Sequence, residues 1–203
     1  MVPDENNKTK IDFAISFAEE KRLFGYDAKQ KQASFPKSVL THMHSFLGKS
    51  LNDTDVVTFM QNFFNSYDVV ENNDTSTIGF KVDYMRVSHT FKIEEIYAMV
   101  LRYISYLADS YAKTDIHDCI ITIPSFYGFK EKKAIENAVV LTGLKLLLFT
   151  YDNTAAAVTY MINRRLNVTR NVLFYNMGAS YTQASLIHFS FGPQGRKVKV
   201  TFL

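Results

Sequence analysis

Residues 120–165 read IITIPSFYGFKEKKAIENAVVLTGLKLLLFTYDNTAAAVTYMINRR, and the fold is decided in them. CIITI (119–123) is a continuous run rich in β-branched residues, the pattern of a strand buried on both faces. Pro124 ends it. KEKKAIENAVVLTG (130–143) reads as a helix that Gly143 stops. KLLLF (145–149) is a second buried run. NTAAAVTYMIN (153–163) is another helix, with Asp152 or Asn153 placed to cap it. NVLFY (171–175) is a third buried strand. Strands alternating with helices make parallel pairs covered by crossover helices. CIITI, KLLLF and NVLFY are therefore expected in one sheet, the first two parallel by the right-handed crossover rule. A structure placing these runs in separate sheets would sink the fold assignment.

Upstream, Ile93, Ile96, Tyr97, Val100, Leu101, Ile104, Leu107, Ala108 and Tyr111 recur on one face of a long amphipathic helix. IDFAISF (11–17) alternates as a half-buried strand, and LF (23–24) is a short second strand. DAKQKQAS (27–34) suits a helix. Pro36 marks a helix start, and SVLTHMHSFLG (38–48) reads as a helix ending at Gly48. LNDTDVVTFMQNFFNSYDVV (51–70) is ambiguous, and VENNDTST (70–77) is a loop. IGFKVDYMRVSHTFK (78–92) alternates as two short strands. Downstream, YNMGASYTQAS (175–185) lies between the apolar runs NVLF and LIHF, as a hairpin turn would, and KVKVTF (197–202) is a further strand.

The length, 203 residues, suits one large domain or two small ones. At 47% hydrophobic, the chain is not wholly disordered. A net charge of +3 is too small to imply nucleic acid. No stretch approaches the ~20 apolar residues of a membrane helix. The opening MVPDENNKTK has no apolar core to act as a signal peptide, so a lumenal protein would carry its signal upstream. Cys119 is the one cysteine; it cannot form an internal disulfide and reads as a buried strand residue. His42 and His44 are two apart and share no helix face, which argues against a metal site. Asn-x-Ser/Thr sequons at Asn7, Asn52, Asn73 and Asn167 would permit glycosylation in a lumenal protein, though an Asn-rich chain also makes them by chance.

The stretch 120–165 resembles the nucleotide-binding domain of the 70-kilodalton heat-shock chaperones. That family has a Val-Pro-x-x-Phe turn, a helix, an Ala-Gly-Leu strand entry and then Glu-Pro-Thr-Ala-Ala-Ala. NVLFYNMGASYTQASL is similar to its strand–Asp-Leu-Gly-Gly-Gly-Thr–strand element. RLFGYDA is similar to Arg-Leu-x-Gly-Asp-Ala, and FLGK to Leu-Ile-Gly-Arg. The order is colinear from about Lys21 to Phe191. Asp152-Asn153-Thr154 in place of Glu-Pro-Thr, Phe174-Tyr175 before the hairpin and Asn-Val-Thr upstream of it resemble the large endoplasmic-reticulum branch, the 170-kDa glucose-regulated or hypoxia-up-regulated proteins.

The resemblance implies an α/β, actin-like ATPase (ribonuclease H-like) fold, with a mixed sheet and crossover helices in an incomplete two-lobe domain. It assigns residues 1–90 to a peripheral part of the first lobe, 91–170 to that lobe's core and 171–203 to the opening hairpins of the second. The seam falls near Thr169 to Asn171. It implies a chaperone or co-chaperone, a nucleotide-exchange factor for a lumenal heat-shock chaperone. That chaperone and unfolded clients would be the partners, with no nucleic acid and no membrane. The location implied is the endoplasmic reticulum lumen, with the cytoplasm as alternative. An ATP-independent holdase or scaffold is a rival reading. So is a sugar-kinase-like phosphotransferase, although no acidic residue follows a strand to activate a hydroxyl.

Carried over position by position, the family's ATP site is altered. Nothing matches its first phosphate loop. Its catalytic lysine falls at His44 or Ser45, and the glutamate of Glu-Pro-Thr at Asp152. The metal-side aspartate is Asn176, the three glycines are Gly178, Ala179 and Ser180, the threonine is Tyr181 and the later aspartate is Gln183. Magnesium prefers carboxylate oxygens, and Asn176 offers a neutral amide. Without the lysine and an aspartate, the charge neutralisation that phosphoryl transfer depends on is reduced. Ala179, Ser180 and Tyr181 crowd a loop that glycines would leave open. The expectation is a phosphate hairpin that has drifted. ATP or ADP with magnesium would bind weakly in the full-length protein and weakly or not at all in this chain. The family is an ATPase family, but hydrolysis is expected to be lost. Pro124 and Lys132 match the family's proline switch and basic relay residue, against the plainer readings of a strand terminator and a solvated helix face.

Overall fold

A computed structural model of the chain describes residues 1–62, 67–72, 77–164, 169–178, 180–192 and 195–202. They form two compact units that interleave along the chain. One comprises Met1–Asp118 and Gly128–Lys145, the other Cys119–Tyr127 and Leu146–Leu203.

In the first unit, β1 (Ala14–Ser16) lies between β2 (Leu23–Phe24) and β3 (Val39–Thr41), antiparallel to both. All three residues of β1 are buried, where alternation had predicted a half-buried strand. A second antiparallel sheet places β5 (Thr77–Tyr84) between β4 (Asp68–Asn72) and β6 (Val87–Lys92). Residues 70–72, expected in a loop, thus belong to β4. Helix α1 (Gly25–Gln30) starts two residues earlier than its predicted span and is shorter; α2 (Thr54–Asn62) fills part of the ambiguous segment. Phe46 meets Phe80 and Phe59 edge-on, with centroids 5.4 and 5.3 Å apart. The Tyr67 hydroxyl donates to the Thr41 carbonyl at 2.6 Å.

Helices α3 (Ile93–Ala112) and α4 (Phe129–Thr142) pack on each other within this unit. Each begins with a glutamate that reaches back one turn. The Lys92 N–H donates to the Glu95 carboxylate at 2.7 Å, and the Gly128 N–H to Glu131 at 2.9 Å. These bonds satisfy donors that a helix start leaves open. Helix α3 buries Ile93, Ile96, Tyr97, Val100 and Leu107 from its predicted stripe. Gly143 ends α4 at φ +80°, as expected of a glycine stop.

Residues 38–48 are not the expected helix. Val39–Thr41 pair with β1, and His42 at φ +58° turns the chain into a short 3-10 turn, Met43–Ser45. An available strand partner outweighs the helical spacing of these residues. Gly48 does take a left-handed conformation, at φ +67°.

In the second unit, β7 (Asp118–Ile123) and β8 (Lys145–Tyr151) form a two-stranded sheet. The Lys145 N–H donates to the His117 carbonyl at 2.7 Å, so the strands start side by side and run parallel, as expected. Helix α5 (Asp152–Arg164) follows. Then β9 (Arg170–Met177), β10 (Thr182–Gly192) and β11 (Gly195–Phe202) form an antiparallel sheet with β10 central. Ala157 of α5 is buried with Ile187 and Phe189 of β10, and Tyr160, Met161, Val172 and Phe174 pack around them.

Two expectations fail in this unit. NVLFY does not share a sheet with CIITI and KLLLF: β9 pairs with β10 across a short turn and forms the edge of a separate sheet. Closing a local hairpin costs less loop entropy than pairing distant strands. Nor are the three strands buried on both faces. Ile120 is 56% exposed, Leu147 and Leu148 50% and Leu173 60%. Sheets of two or three strands bury one side, so β9 alternates, with Val172 and Phe174 half-buried and Leu173 and Tyr175 exposed. Cys119 is half-buried rather than buried. With the single sheet absent, the assignment of the fold rests on sequence kinship. Among the described residues, no helix is long and apolar enough to cross a membrane.

Candidate functional site

Strand β10 buries every second residue: Gln183, Ser185, Ile187 and Phe189. The pleat therefore puts the Gln183 amide on the core face, where a polar group needs partners. Its Nε2 donates to Asp152 Oδ2 at 2.6 Å. Its Oε1 accepts the Ser125 hydroxyl at 2.9 Å and, at 3.4 Å, the Ser125 N–H and Asn153 Nδ2. One side chain thus joins β10, the start of α5 and the loop after β7.

Asp152 heads α5, where the helix dipole favours a negative charge. Its Oδ1 accepts the Asn153 N–H at 2.7 Å. The Tyr181 hydroxyl donates to Oδ2 at 3.2 Å, and its ring stands edge-on to Phe126 with centroids 5.2 Å apart. Burial, then the charge of Asp152, then the hydrogen bond to it push the Tyr181 phenol up to about 12. Tyr181 is therefore a neutral donor near pH 7. A carboxylate offers about four lone-pair positions. Asn153, Tyr181 and Gln183 each take one on Asp152.

Of the residues singled out from the sequence, the structure joins Asp152 to Tyr181 and Gln183. Pro124 is buried beside this cluster, and its carbonyl accepts the Tyr127 N–H at 3.2 Å. Asn176 is not drawn in. It is exposed on β9, in register with Gln183, and its side chain makes no hydrogen bond among the described residues. The Gly178 N–H donates to the Tyr181 carbonyl at 3.0 Å, continuing the ladder beyond the Met177–Thr182 pair. Gly178 is not among the positive-φ residues, so this hairpin makes no use of a left-handed glycine there. Ser180 is exposed, and Ala179 lies outside the described residues. Lys132 is half-buried on α4 of the first unit.

His44 and Ser45 also belong to the first unit. Burial, then the charge of His42, lower the His44 imidazole, while burial and Lys29 lower His42. Their rings lie 6.3 Å apart, and His42 lies 6.0 Å from Phe59. Among the described residues, no three His, Cys, Asp or Glu side chains gather as metal ligands.

Sequence reasoning placed Gln183 at a family position without giving it a role, took Asn153 as a candidate cap only, and left out Ser125. The signal was present: counting back by twos from Phe189 and Ile187 reaches Ser185 and then Gln183. An amide on a core face has to be held by something.

The Hsp70 protein family model matches residues 2–201. Hypoxia up-regulated protein 1 of Xenopus laevis is 33% identical over 192 residues, 93% of this chain and 29% of that protein. Its namesake in Homo sapiens is 30% identical over 192 residues, 93% of this chain and 19% of its own length. Heat shock 70 kDa protein 17 of Arabidopsis thaliana is 30% identical over 177 residues, 87% of this chain and 20% of that protein. The chain spans between 19% and 29% of the length of these relatives.

Proposed function

The chain belongs to the Hsp70 family, and from that premise we propose that it is part of the nucleotide-binding domain of a heat-shock-type chaperone or co-chaperone whose ATP site no longer turns over. The carrying observation is that Gln183 and Tyr181 both donate to Asp152 Oδ2. By resemblance, the family has a glutamate, an aspartate and a second aspartate where this chain has Asp152, Asn176 and Gln183. One carboxylate remains of three, and the neutral replacement at 183 is bonded to it. Magnesium would have to compete with these donors for the remaining lone pairs of Asp152. The residues at these positions do not fit magnesium-dependent hydrolysis.

On this reading residues 1–90 and 91–170 are the peripheral and core parts of a first lobe, and 171–203 open a second. The whole protein acts in the endoplasmic reticulum lumen as an exchange factor for another heat-shock chaperone and meets unfolded clients. The sequons and the branch resemblance support that location over the cytoplasm. A holdase that needs no ATP is the second reading, favoured by the exposed Ile120, Leu147, Leu148, Leu173 and Tyr175.

Phosphate release from ATP by this chain is expected to equal a no-enzyme control. Turnover that survives repurification and disappears in Asp152→Asn would overturn the proposal. In the full-length protein, calorimetry is expected to show weak ADP and ATP binding. Asn176→Asp alone is expected to leave hydrolysis absent, because that side chain stands outside the Asp152 cluster. Tight magnesium-dependent binding by the wild type would mean that the hairpin is a working phosphate loop.

A further inference from the structure

Two of the four sequons, Asn7-Lys8-Thr9 and Asn52-Asp53-Thr54, lie among the described residues, and each asparagine sits in a tight turn fastened by a neighbouring aspartate. Around Asn7, the Asp4 Oδ1 accepts the N–H groups of Asn6 at 2.9 Å and Lys8 at 2.7 Å. The Asn7 N–H donates to the Asp4 carbonyl at 3.0 Å. Asp4 is buried, so the turn is anchored to the first unit. Asn7 stands exposed at φ +59°, a conformation asparagine adopts more readily than most residues. Around Asn52, the Asp53 carboxylate accepts the Ser50 N–H at 3.0 Å and the Ser50 hydroxyl at 3.1 Å. The Asp53 N–H donates to the Ser50 carbonyl at 3.2 Å. Asn52 is exposed, and so is Thr54, which opens α2.

The side chains of Asn7, Thr9, Asn52 and Thr54 make no hydrogen bond among the described residues, and all four are exposed. By contrast, Asn6 bonds to Asp27, Asn153 to Gln183 and Asn171 to His188. None of those three asparagines is followed two residues on by serine or threonine. The fold uses neither sequon asparagine's side chain as a hydrogen-bonding group among the described residues and keeps both amides open to solvent.

We propose that Asn7 and Asn52 are acceptors for an Asn-linked oligosaccharide. This rests on the lumenal location proposed above. The transfer joins the asparagine Nδ2 to the anomeric carbon of an oligosaccharide carried on a lipid diphosphate. The bond from that carbon to the diphosphate oxygen breaks, the amide gives up one proton, and the lipid diphosphate leaves. Nothing is oxidised or reduced. The acceptor needs an open amide, a hydroxyl two residues on and room for a bulky polar group. Both turns meet these needs in the folded state, so a finished glycan displaces no packed side chain. Neither belongs to the Asp152 cluster, and the glycans leave that cluster as it is.

The test is expression of the full chain behind a cleavable secretory leader in eukaryotic cells. Peptide N-glycosidase digestion in heavy-oxygen water follows, with peptide mass spectrometry. Asn7→Gln, Asn52→Gln, Thr9→Val and Thr54→Val are run in parallel. Heavy-oxygen aspartate is expected at positions 7 and 52. Each substitution is expected to remove one mobility step and leave the other. A mark at only one position overturns the assignment of the other. A secreted chain marked at neither overturns both, even if Asn73 or Asn167 is marked. The same peptides from the untagged protein in its own cells separate this proposal from the location on which it rests. Marks at none of the four sequons there overturn the location and the proposal together. Marks confined to Asn73 or Asn167 support the lumenal location and overturn the proposal.

Discussion

His42 and His44 are held toward the neutral form by burial, with Lys29 adding to the effect at His42 and His42 adding to it at His44. In the unfolded chain each titrates near ~6.5. Below that value, and until the lowered folded value is reached, the unfolded chain binds more protons than the folded one. Stability is therefore full above about pH 6.5, is lost as pH falls through this window, and stops falling from this cause below it. The urea midpoint is expected to hold from about pH 8 to about pH 7 and then decline on acidification, with a shallower decline in His44→Gln. Identical pH slopes for wild type and variant would show that His44 contributes nothing. Residues were legible in the sequence where their role is local. Asp152 at the head of a helix is a local pattern, although the backbone bond it accepts comes from the next residue, Asn153, and not from one turn into the helix as a cap would take. The Gln183–Ser125 bond joins residues 58 apart in sequence, and periodicity within either segment does not pair them.

Helix α4 and the Gly48 turn meet at backbone distance. A Cβ on Gly48 would lie 2.6 Å from the Lys130 carbonyl carbon and from the Glu131 nitrogen, at a φ of +67°. Gly143, at φ +80°, has nothing within 4 Å of such a Cβ. The two positions separate conformational strain from collision. Gly143→Ala is expected to cost about 1 kcal/mol, from the left-handed conformation alone. Gly48→Ala adds a steric clash with main chain and is expected to cost about 2–4 kcal/mol. Thermal unfolding of the two variants side by side is the measurement, and equal losses would remove the contact argument. Long helices with start and stop signals were the legible elements: α3 by its stripe, α4 by Gly143, α5 by Asp152. The β5–β6 hairpin was legible from alternation, although its turn residues Met85 and Arg86 take φ of +52° and +64° without the usual Asn-Gly. Residues 38–48 were misread because β3 depends on β1, more than twenty residues upstream, and no local spacing records that pairing.

For the whole molecule, the exposed apolar residues of β7, β8 and β9 make self-association the expected behaviour of this chain. Ile120, Leu147, Leu148, Leu173 and Tyr175 are all at least half exposed, and uncovered strands with apolar faces tend to pair. Sedimentation is expected to show mass rising with concentration, and Leu147→Lys combined with Leu173→Lys to reduce it. A monomer at every concentration would contradict this. Kinship with the Hsp70 family was legible because it lies in ordered short motifs. The sheet was not, because strand order depends on which distant segments meet.

The interleaving of the two units also constrains how the protein is made. The chain leaves the first unit after Asp118, returns at Gly128 and leaves again after Lys145. A ribosome delivers residues in order, at roughly 5–20 per second. The first unit therefore stays unfinished after its first 118 residues have emerged, since α4 is still to come. By the time α4 arrives, Cys119–Tyr127 have been translated without residues 146–203. For a few seconds at that pace, β7 emerges from the ribosome without β8, its sheet partner. Termination before residue 128 therefore leaves the first unit without α4 and the second without β8.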